Sequence, residues 1–436
     1  MIGLHVTTHG CKLNQFDSAE LAGALKRSAT PVADPAAARL VVVNTCTVTA
    51  AADADARQTL RRRRRESPGA LIVVTGCYAE REPEALRAMP EVDLVLRRAD
   101  RPAAAGMILE ELRRRFPEDL ADGCAERVVA EETLPDFGDR TRAFLRVQEG
   151  CDLRCSYCVI PRVRGASRSL APHDVLARFR RLLEAGFAEV VLTGVNTGDY
   201  GKDLEPRSGL TSLLRVLAAT DGDYRIRLNS VEPRRVTPDL IDLMAAEPRM
   251  ASHLQIPIQS GSDNVLRAMR RNYRVRHYAR TVETLRRRIP DIGLGADVIT
   301  GFPGETDADF RETAGFLAAS PLNYLHVFSY SARPGTAACD LPGSIPAETI
   351  RERSRILREL GASLAIAFRR SQQGRRLRAL VLGEARADAT WRALTSNFID
   401  VRVAGGPDGG PQSNSFADVI ITRVDASGQA FATSAL

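Results

Sequence analysis

Lysine is scarce in this 436-residue chain. Of 61 basic residues only Lys12, Lys26 and Lys202 are lysines, and the rest are arginines. With the abundant alanine, this bias matches codons of a GC-rich genome and says little about function. Long apolar runs are absent too. Stretches such as Leu40–Val43 and Leu71–Val74 fall far short of the ~20 residues of a membrane helix. Met1-Ile2-Gly3-Leu4-His5 has neither the basic nor the apolar region of a secretory signal. A membrane or secreted protein is therefore disfavoured, and a cytoplasmic one is expected. A strong charge imbalance is also missing: the net charge of +7 permits a polyanionic partner without demanding one. The run Arg61–Arg65 fits an RNA contact or a solvated helix face equally well.

What is present is a globular composition, 44% hydrophobic and 26% charged, with length for several domains. Eight cysteines stand at 11, 46, 77, 124, 151, 155, 158 and 339. In a reducing compartment, clustered cysteines point to metal or catalysis rather than to disulfides. Cys151-Asp-Leu-Arg-Cys155-Ser-Tyr-Cys158 is a CxxxCxxC loop. Three thiolates on one loop can hold three irons of a cubane, leaving the fourth open to a ligand. A structural zinc site would need four ligands, usually in two pairs. There is no second CxxC, and no histidine lies within ten residues of the triplet. Cys124 and Cys339 have no partner pattern and read as structural.

The first segment alternates strands (Ile2–Thr8, Leu40–Val43, Leu71–Val74) with helices (Ser18–Ser28, Ala51–Glu66 and one after Pro83). That pattern predicts a doubly wound parallel sheet, whose ligands bind beyond the carboxyl ends of the strands. Cys11, Cys46 and Cys77 each follow such an end, so they are expected to converge as a second metal site. A linker is expected over 117–139. Six further strands, Phe144–Gln148, Glu189–Leu192, Tyr224–Leu228, His253–Ile258, Gly295–Ile299 and Tyr324–Tyr330, alternate with helices such as Pro172–Ala185 and Asp307–Ala318. Six such units suit a partial barrel, with the cysteine loop after its first strand. Gly194 and Gly301, in glycine-rich loops after the second and fifth strands, are weak candidates for close approach to a ligand. From about Ser371 the short strands Leu377–Leu382, Ile399–Val403, Val419–Val424 and Ala430–Thr433 predict a small all-β module.

The CxxxCxxC loop, with Tyr157 before its third cysteine, resembles that of the radical S-adenosylmethionine (SAM) enzymes. The whole chain resembles their methylthiotransferase family. The resemblance rests on Gly10-Cys11-Lys12-Leu13-Asn14-Gln15, Asn44-Thr45-Cys46, Thr75-Gly76-Cys77, Gln148-Glu149-Gly150-Cys151, Ile160-Pro161-Arg162-Val163-Arg164-Gly165 and Pro257-Ile258-Gln259-Ser260-Gly261-Ser262. It implies three domains: an amino-terminal cluster domain over 1–116, a partial (β/α)6 radical SAM barrel over 140–370 and a TRAM module over 371–436 that grips tRNA. It also implies two 4Fe–4S clusters, one on Cys11, Cys46 and Cys77, and a SAM-binding one on Cys151, Cys155 and Cys158. One departure is Arg97-Arg98, where many members have Gly-Asn.

The resemblance implies that one SAM methylates a sulfur at the auxiliary cluster and a second supplies a 5′-deoxyadenosyl radical. A radical is needed because no side-chain base can remove an unactivated aromatic hydrogen. The partners implied are the anticodon arm of tRNA, an electron donor such as flavodoxin or ferredoxin, and a sulfur source. The loops Leu192–Gly201 and Arg227–Pro233 resemble the branch acting on N6-threonylcarbamoyladenosine, so methylthiolation at carbon 2 of that nucleoside, at position 37, is expected. The alternatives are N6-isopentenyladenosine in tRNA or an aspartate of a ribosomal protein. A threonylcarbamoyl carboxylate calls for a cation in its pocket, and Arg162, Arg164 and Arg333 are the candidates.

Overall fold

The computed structural model describes residues 1–118, 133–138, 140–383, 388–405 and 410–435. The first region contains β1 (Ile2–Thr8), α1 (Lys12–Leu25), β2 (Ala29–Pro31), β3 (Leu40–Thr45), α2 (Ala50–Glu66), β4 (Leu71–Gly76), α3 (Cys77–Arg81), α4 (Pro83–Arg87), β5 (Leu94–Val95) and α5 (Ala104–Arg115). Its five strands form one parallel sheet in the order β2-β1-β3-β4-β5. The first four residues of β3 and of β4 are apolar because both faces are covered. Leu40, Val42, Leu71 and Val73 pack with α1 and α5, while Val41, Val43, Ile72 and Val74 pack with Ala56 and Leu60 of α2. α1 starts six residues before the expected Ser18. Asn14, a weak helix former, sits in its first turn because its amide donates to the carbonyls of His9 (2.8 Å) and Thr45 (3.0 Å). A helix also begins at Cys77 itself, ahead of the one that Pro83 opens.

The middle region runs β6 (Arg142–Arg146), β7 (Gln148–Glu149), α6 (Ile160–Arg164), β8 (Arg168–Ser169), α7 (Pro172–Glu184), β9 (Glu189–Thr193), α8 (Leu210–Ala218), β10 (Arg225–Leu228), α9 (Pro238–Ala246), β11 (His253–Gln255), α10 (Asp263–Ala268), α11 (Val275–Arg288), β12 (Gly293–Thr300), α12 (Asp307–Ala319) and β13 (Tyr324–Ser329). Parallel sheets β6-β9-β10 and β11-β12-β13 are joined by the parallel bridges Ile226–Met250 and Ser230–Gln255. The result is a six-stranded open barrel whose edges, β6 and β13, do not pair. Gln148, expected at the end of the first strand, instead joins the short β7–β8 hairpin. Of the stretch read as a linker, 119–132 and 139, with Cys124, lie outside the described residues. Phe137 is buried, edge-on to Phe144 and Phe187.

The long helix α13 (Ala347–Ser371) leads to β14 (Arg376–Val381), β15 (Thr390–Thr395), β16 (Asp400–Ala404), β17 (Phe416–Val424) and β18 (Ala430–Ser434). These close into a barrel in the order β14-β15-β16-β18-β17. β15 was not expected: Thr390, Arg392 and Thr395 dilute its apolar pattern, but Ala393 and Leu394 are buried. The chain is thus α/β and multidomain, with a doubly wound sheet, a partial (β/α)6 barrel and a small closed β-barrel. Among the described residues no helix is long and apolar enough to cross a membrane.

The small barrel seals the base of the large one. Glu189 is fully buried and accepts from Arg225 Nε (2.5 Å) and Arg227 Nε (2.9 Å). The remaining donors of these arginines reach the carbonyls of Leu394 (2.9 Å) and Ser396 (3.0 Å). Burial opposes the Glu189 charge, but Arg227 and Arg225 outweigh it and hold the carboxyl well below its usual range. Phe398 stacks on His253 at 4.3 Å and Asn397 is buried. The Ser396-Asn397-Phe398 segment therefore packs against the large barrel, with Asn397 and Phe398 also on the wall of a cleft beside it.

Candidate active site

β1, β3 and β4 are neighbours in the sheet, so their carboxyl ends lie side by side. Cys11, Cys46 and Cys77 follow those ends closely enough to interact electrostatically. Two glycines permit the approach. Gly10 has φ +93°, and a Cβ there would stand 2.8 Å from Cys46 Cβ. Gly76 has φ +97°, and a Cβ there would stand 2.3 Å from the Thr45 carbonyl. Burial pushes the Cys46 thiol up to about 11 and raises that of Cys77.

The Cys151–Cys158 loop follows β6 and β7 at the carboxyl end of the open barrel. Cys151 N–H donates to Gly165 O (3.0 Å), Ser156 N–H to Met269 O (3.1 Å) and Ser156 Oγ to Ala268 O (2.8 Å). Tyr157 packs against Val265, Met269 and Phe302. Burial pushes Cys151 up to about 11 and Cys158 to about 12.

Each cysteine set receives one buried arginine. Arg164, only 4% exposed, crosses from the barrel region: its Nε donates to Cys77 Sγ (3.3 Å) and its Nη1 to Glu149 Oε1 (3.0 Å), with Asp17 also at 3.0 Å. Arg101 binds the same two carboxylates, at 3.2 Å to Asp17 and 2.9 Å to Glu149. Burial works against Asp17, but Arg101, Arg164 and Arg146 bring it down to about 2. At the other set, Arg271 Nη1 donates to Cys155 Sγ (3.1 Å), its Nη2 pairs with Glu232, and its guanidinium lies 4.9 Å from the Tyr273 ring. Hydrogen bonds to ligand sulfurs tune the potential of iron–sulfur sites.

Among the described residues no group of His, Cys, Asp or Glu is arranged to hold a metal ion. A cubane makes a different demand, since each thiolate binds a separate corner iron. Two sets of soft thiolate donors fit iron–sulfur chemistry, and binding would draw off the protons that burial holds on Cys46, Cys77, Cys151 and Cys158.

The other expected residues divide. The chain itself accounts for both glycines. A Cβ on Gly194 would stand 2.9 Å from Gln148 O, and one on Gly301 (φ +75°) would stand 2.4 Å from Ile350. Arg333 is buried against Asp53 (2.5 Å) and Thr47 (3.0 Å), and Arg164 is held as described, so neither is free for a substrate. Arg162 is exposed beside Gly335. Cys339 is exposed, its Sγ donating to Arg333 O at 2.9 Å. Arg97-Arg98 adopts a fixed turn, with Arg97 Nη2 (3.0 Å) and Arg98 N–H (2.9 Å) both on Glu80. In the Arg61–Arg65 run, Arg63 and Arg64 make local bonds, to Thr7 and Ala70 among others, while Arg62 and Arg65 stay exposed.

Sequence reasoning missed Arg271, which no local pattern marks, and Lys12, whose signal was its rarity. Lys12 Nζ donates to Asn229 Oδ1 at 2.7 Å, crossing from α1 to the end of β10. Burial first, then Arg142 and Arg227, push its ammonium down to about 8.

An open six-stranded barrel with a CxxxCxxC loop at its carboxyl end defines the class of radical SAM enzymes. The Radical SAM superfamily pattern matches residues 145–317, and that of Uncharacterized protein family UPF0004 matches residues 3–97. Threonylcarbamoyladenosine tRNA methylthiotransferase MtaB of Bacillus subtilis (strain 168) is 38% identical over 82% of this chain and 80% of its own length. The tRNA-2-methylthio-N(6)-dimethylallyladenosine synthase of Mycobacterium sp. (strain MCS) is 36% identical over 91% of this chain and 80% of its own. Among solved structures, the radical S-adenosylmethionine methyltransferase TsrM from Kitasatospora setae, with cobalamin and a 4Fe–4S cluster bound, has a TM-score of 0.54. At 16% identity, over 75% of this chain and 74% of that one, it shows the fold alone. The chain belongs to the radical SAM tRNA methylthiotransferase family.

Proposed function

We propose that this enzyme methylthiolates carbon 2 of N6-threonylcarbamoyladenosine at position 37 of tRNA. It uses two SAM molecules, one as methyl donor and one as radical source. In this reading Cys11, Cys46 and Cys77 hold an auxiliary 4Fe–4S cluster, and Cys151, Cys155 and Cys158 hold the SAM-binding one. The observation that carries it is the Arg164 join. One guanidinium touches Cys77 and, through Glu149, the segment leading to Cys151, so the two thiol-bearing regions are docked against each other. Bound there, the clusters and SAM supply the methyl group, the sulfur-bearing site and the radical. The chain's part is to fix both loops, exclude water and orient the base. Gly194 and Gly301, past the ends of β9 and β12, stay in this reading as residues near SAM, with their missing side chains explained by Gln148 and Ile350.

The domains follow the ranges 1–116, 140–370 and 371–436, with 117–139 between the first two, and the setting is the cytoplasm. The backbone of the anticodon arm is assigned a contact in a cleft of about 480 Å3, room for about one nucleotide, between the open barrel edge, α13 and the small barrel. Arg142, His326, Arg358 and Arg392 line it, and Arg358 is exposed with no carboxylate partner among the described residues. Phosphate contacts there would make binding strongly salt-dependent. An electron donor of the flavodoxin or ferredoxin type and a sulfur source complete the reaction.

The test offers reconstituted enzyme, SAM, reductant and a sulfur source two tRNA pools, one with threonylcarbamoyladenosine and one with isopentenyladenosine. Methylthiolation of the threonylcarbamoyl pool is expected. Reaction of the isopentenyl pool alone would overturn the substrate and leave the family chemistry standing. Deleting residues 371–436 would uncover Arg225 and Arg227, so the arm's site is better tested with Arg358→Glu, which should weaken tRNA binding and flatten its salt dependence.

A further inference from the structure

We propose that Lys12 receives a carboxylate at the barrel mouth, that of the threonylcarbamoyl group on the substrate base. This assignment rests on the substrate reading above. Lys12 is half-buried, and among the described residues its ammonium has one hydrogen-bond partner, the neutral amide of Asn229. Among the described residues no carboxylate lies within ion-pair distance of it. The buried arginines nearby each have a carboxylate partner: Arg164 has Asp17 and Glu149, Arg271 has Glu232, Arg333 has Asp53, and Arg225 and Arg227 share Glu189. A cation drawn out of water and left with a neutral partner is costly unless an anion arrives with the ligand.

Position supports the same assignment. Lys12 is the first residue of α1, and no side chain caps that helix start, so the positive helix end adds to the charge of this segment. Lys12 is adjacent to Cys11. Asn229 stands three residues before Glu232, which holds Arg271 against Cys155. The ammonium therefore lies at the join of α1 with the end of β10, beside segments that lead to both thiol sets, with Glu189 and Asp297 of the barrel acting on it only from beyond ion-pair distance. A base presented to both sets would carry its N6 substituent toward it. Of the two carboxylates that chemistry brings there, the second is that of SAM, and the test separates them.

The experiment uses full-length reconstituted enzyme and anticodon stem-loop RNA carrying either threonylcarbamoyladenosine or its methyl ester, with affinities measured anaerobically. The wild type should prefer the acid over the ester by roughly ten- to a hundredfold, the range of a hydrogen-bonded charge pair. In Lys12→Gln that ratio should fall to near one, and Lys12→Arg should restore most of it. An unchanged ratio in Lys12→Gln would overturn the assignment. So would a tenfold loss of SAM affinity with the ratio intact, which would give Lys12 to SAM. Wild-type turnover of isopentenyl RNA alone would instead remove the substrate reading beneath it.

Discussion

The two three-cysteine sites share one device and differ in how they are built. Each offers three thiols and one buried arginine donating to a sulfur. The Cys151–Cys158 site is local, with all three thiols on one loop clamped to α10, and its Arg271 answers to one carboxylate, Glu232. The Cys11, Cys46 and Cys77 site is assembled from three strand ends. Its arginine comes from the other domain and sits in a network with Asp17, Glu149 and Arg101. A local loop can hold its geometry alone, whereas the assembled site depends on domain docking.

The comparison breaks most sharply at the thiols. Replacing Cys151, Cys155 and Cys158 with Ala should abolish SAM cleavage and leave about four of roughly eight irons per chain. Replacing Cys11, Cys46 and Cys77 should also leave about four, with SAM cleavage retained and methylthio transfer lost. Wild-type iron near four would sink the two-site reading. Next in size is Arg271→Gln, which leaves Glu232 without a cation and should destabilise the enzyme by about 3 kcal/mol, read from anaerobic thermal unfolding. Arg164→Gln should cost less, about 1–2 kcal/mol, because Asp17 and Glu149 keep Arg101. Equal losses would show that the network does not share its charge. The smallest effect is on reduction potential. Each glutamine variant removes a donor to sulfur, so each should lower the potential of its own cluster by some tens of millivolts, 59 mV being a tenfold change for one electron. Redox titration followed by electron paramagnetic resonance would check it, and a shift in the other cluster would break the pairing.

β3 and β4 were legible because a sheet covered on both faces favours continuous apolar runs, here Leu40–Val43 and Leu71–Val74. The convergence of Cys11, Cys46 and Cys77 followed from where those strands end. The start of α1 was hidden by Asn14, whose side chain serves the loop rather than the helix. β15 was hidden by its exposed Thr390 and Arg392. Arg164 stood in a quoted motif, yet its contact with Cys77, 87 residues away, leaves no periodic trace. Arg333 showed the opposite limit: a cation near the site in sequence is neutralised by Asp53 in space.

The floor that Phe398, Arg225 and Arg227 make between the two barrels has one more consequence. Aromatic stacking and buried ion-to-carbonyl bonds leave the small barrel little freedom to swing. The distance from the arginine-lined cleft to the thiol loops is then a constant of the molecule. If the anticodon arm sits in that cleft, as proposed, the enzyme would work as a gauge, with the nucleotide brought to the thiol loops set by reach along the RNA.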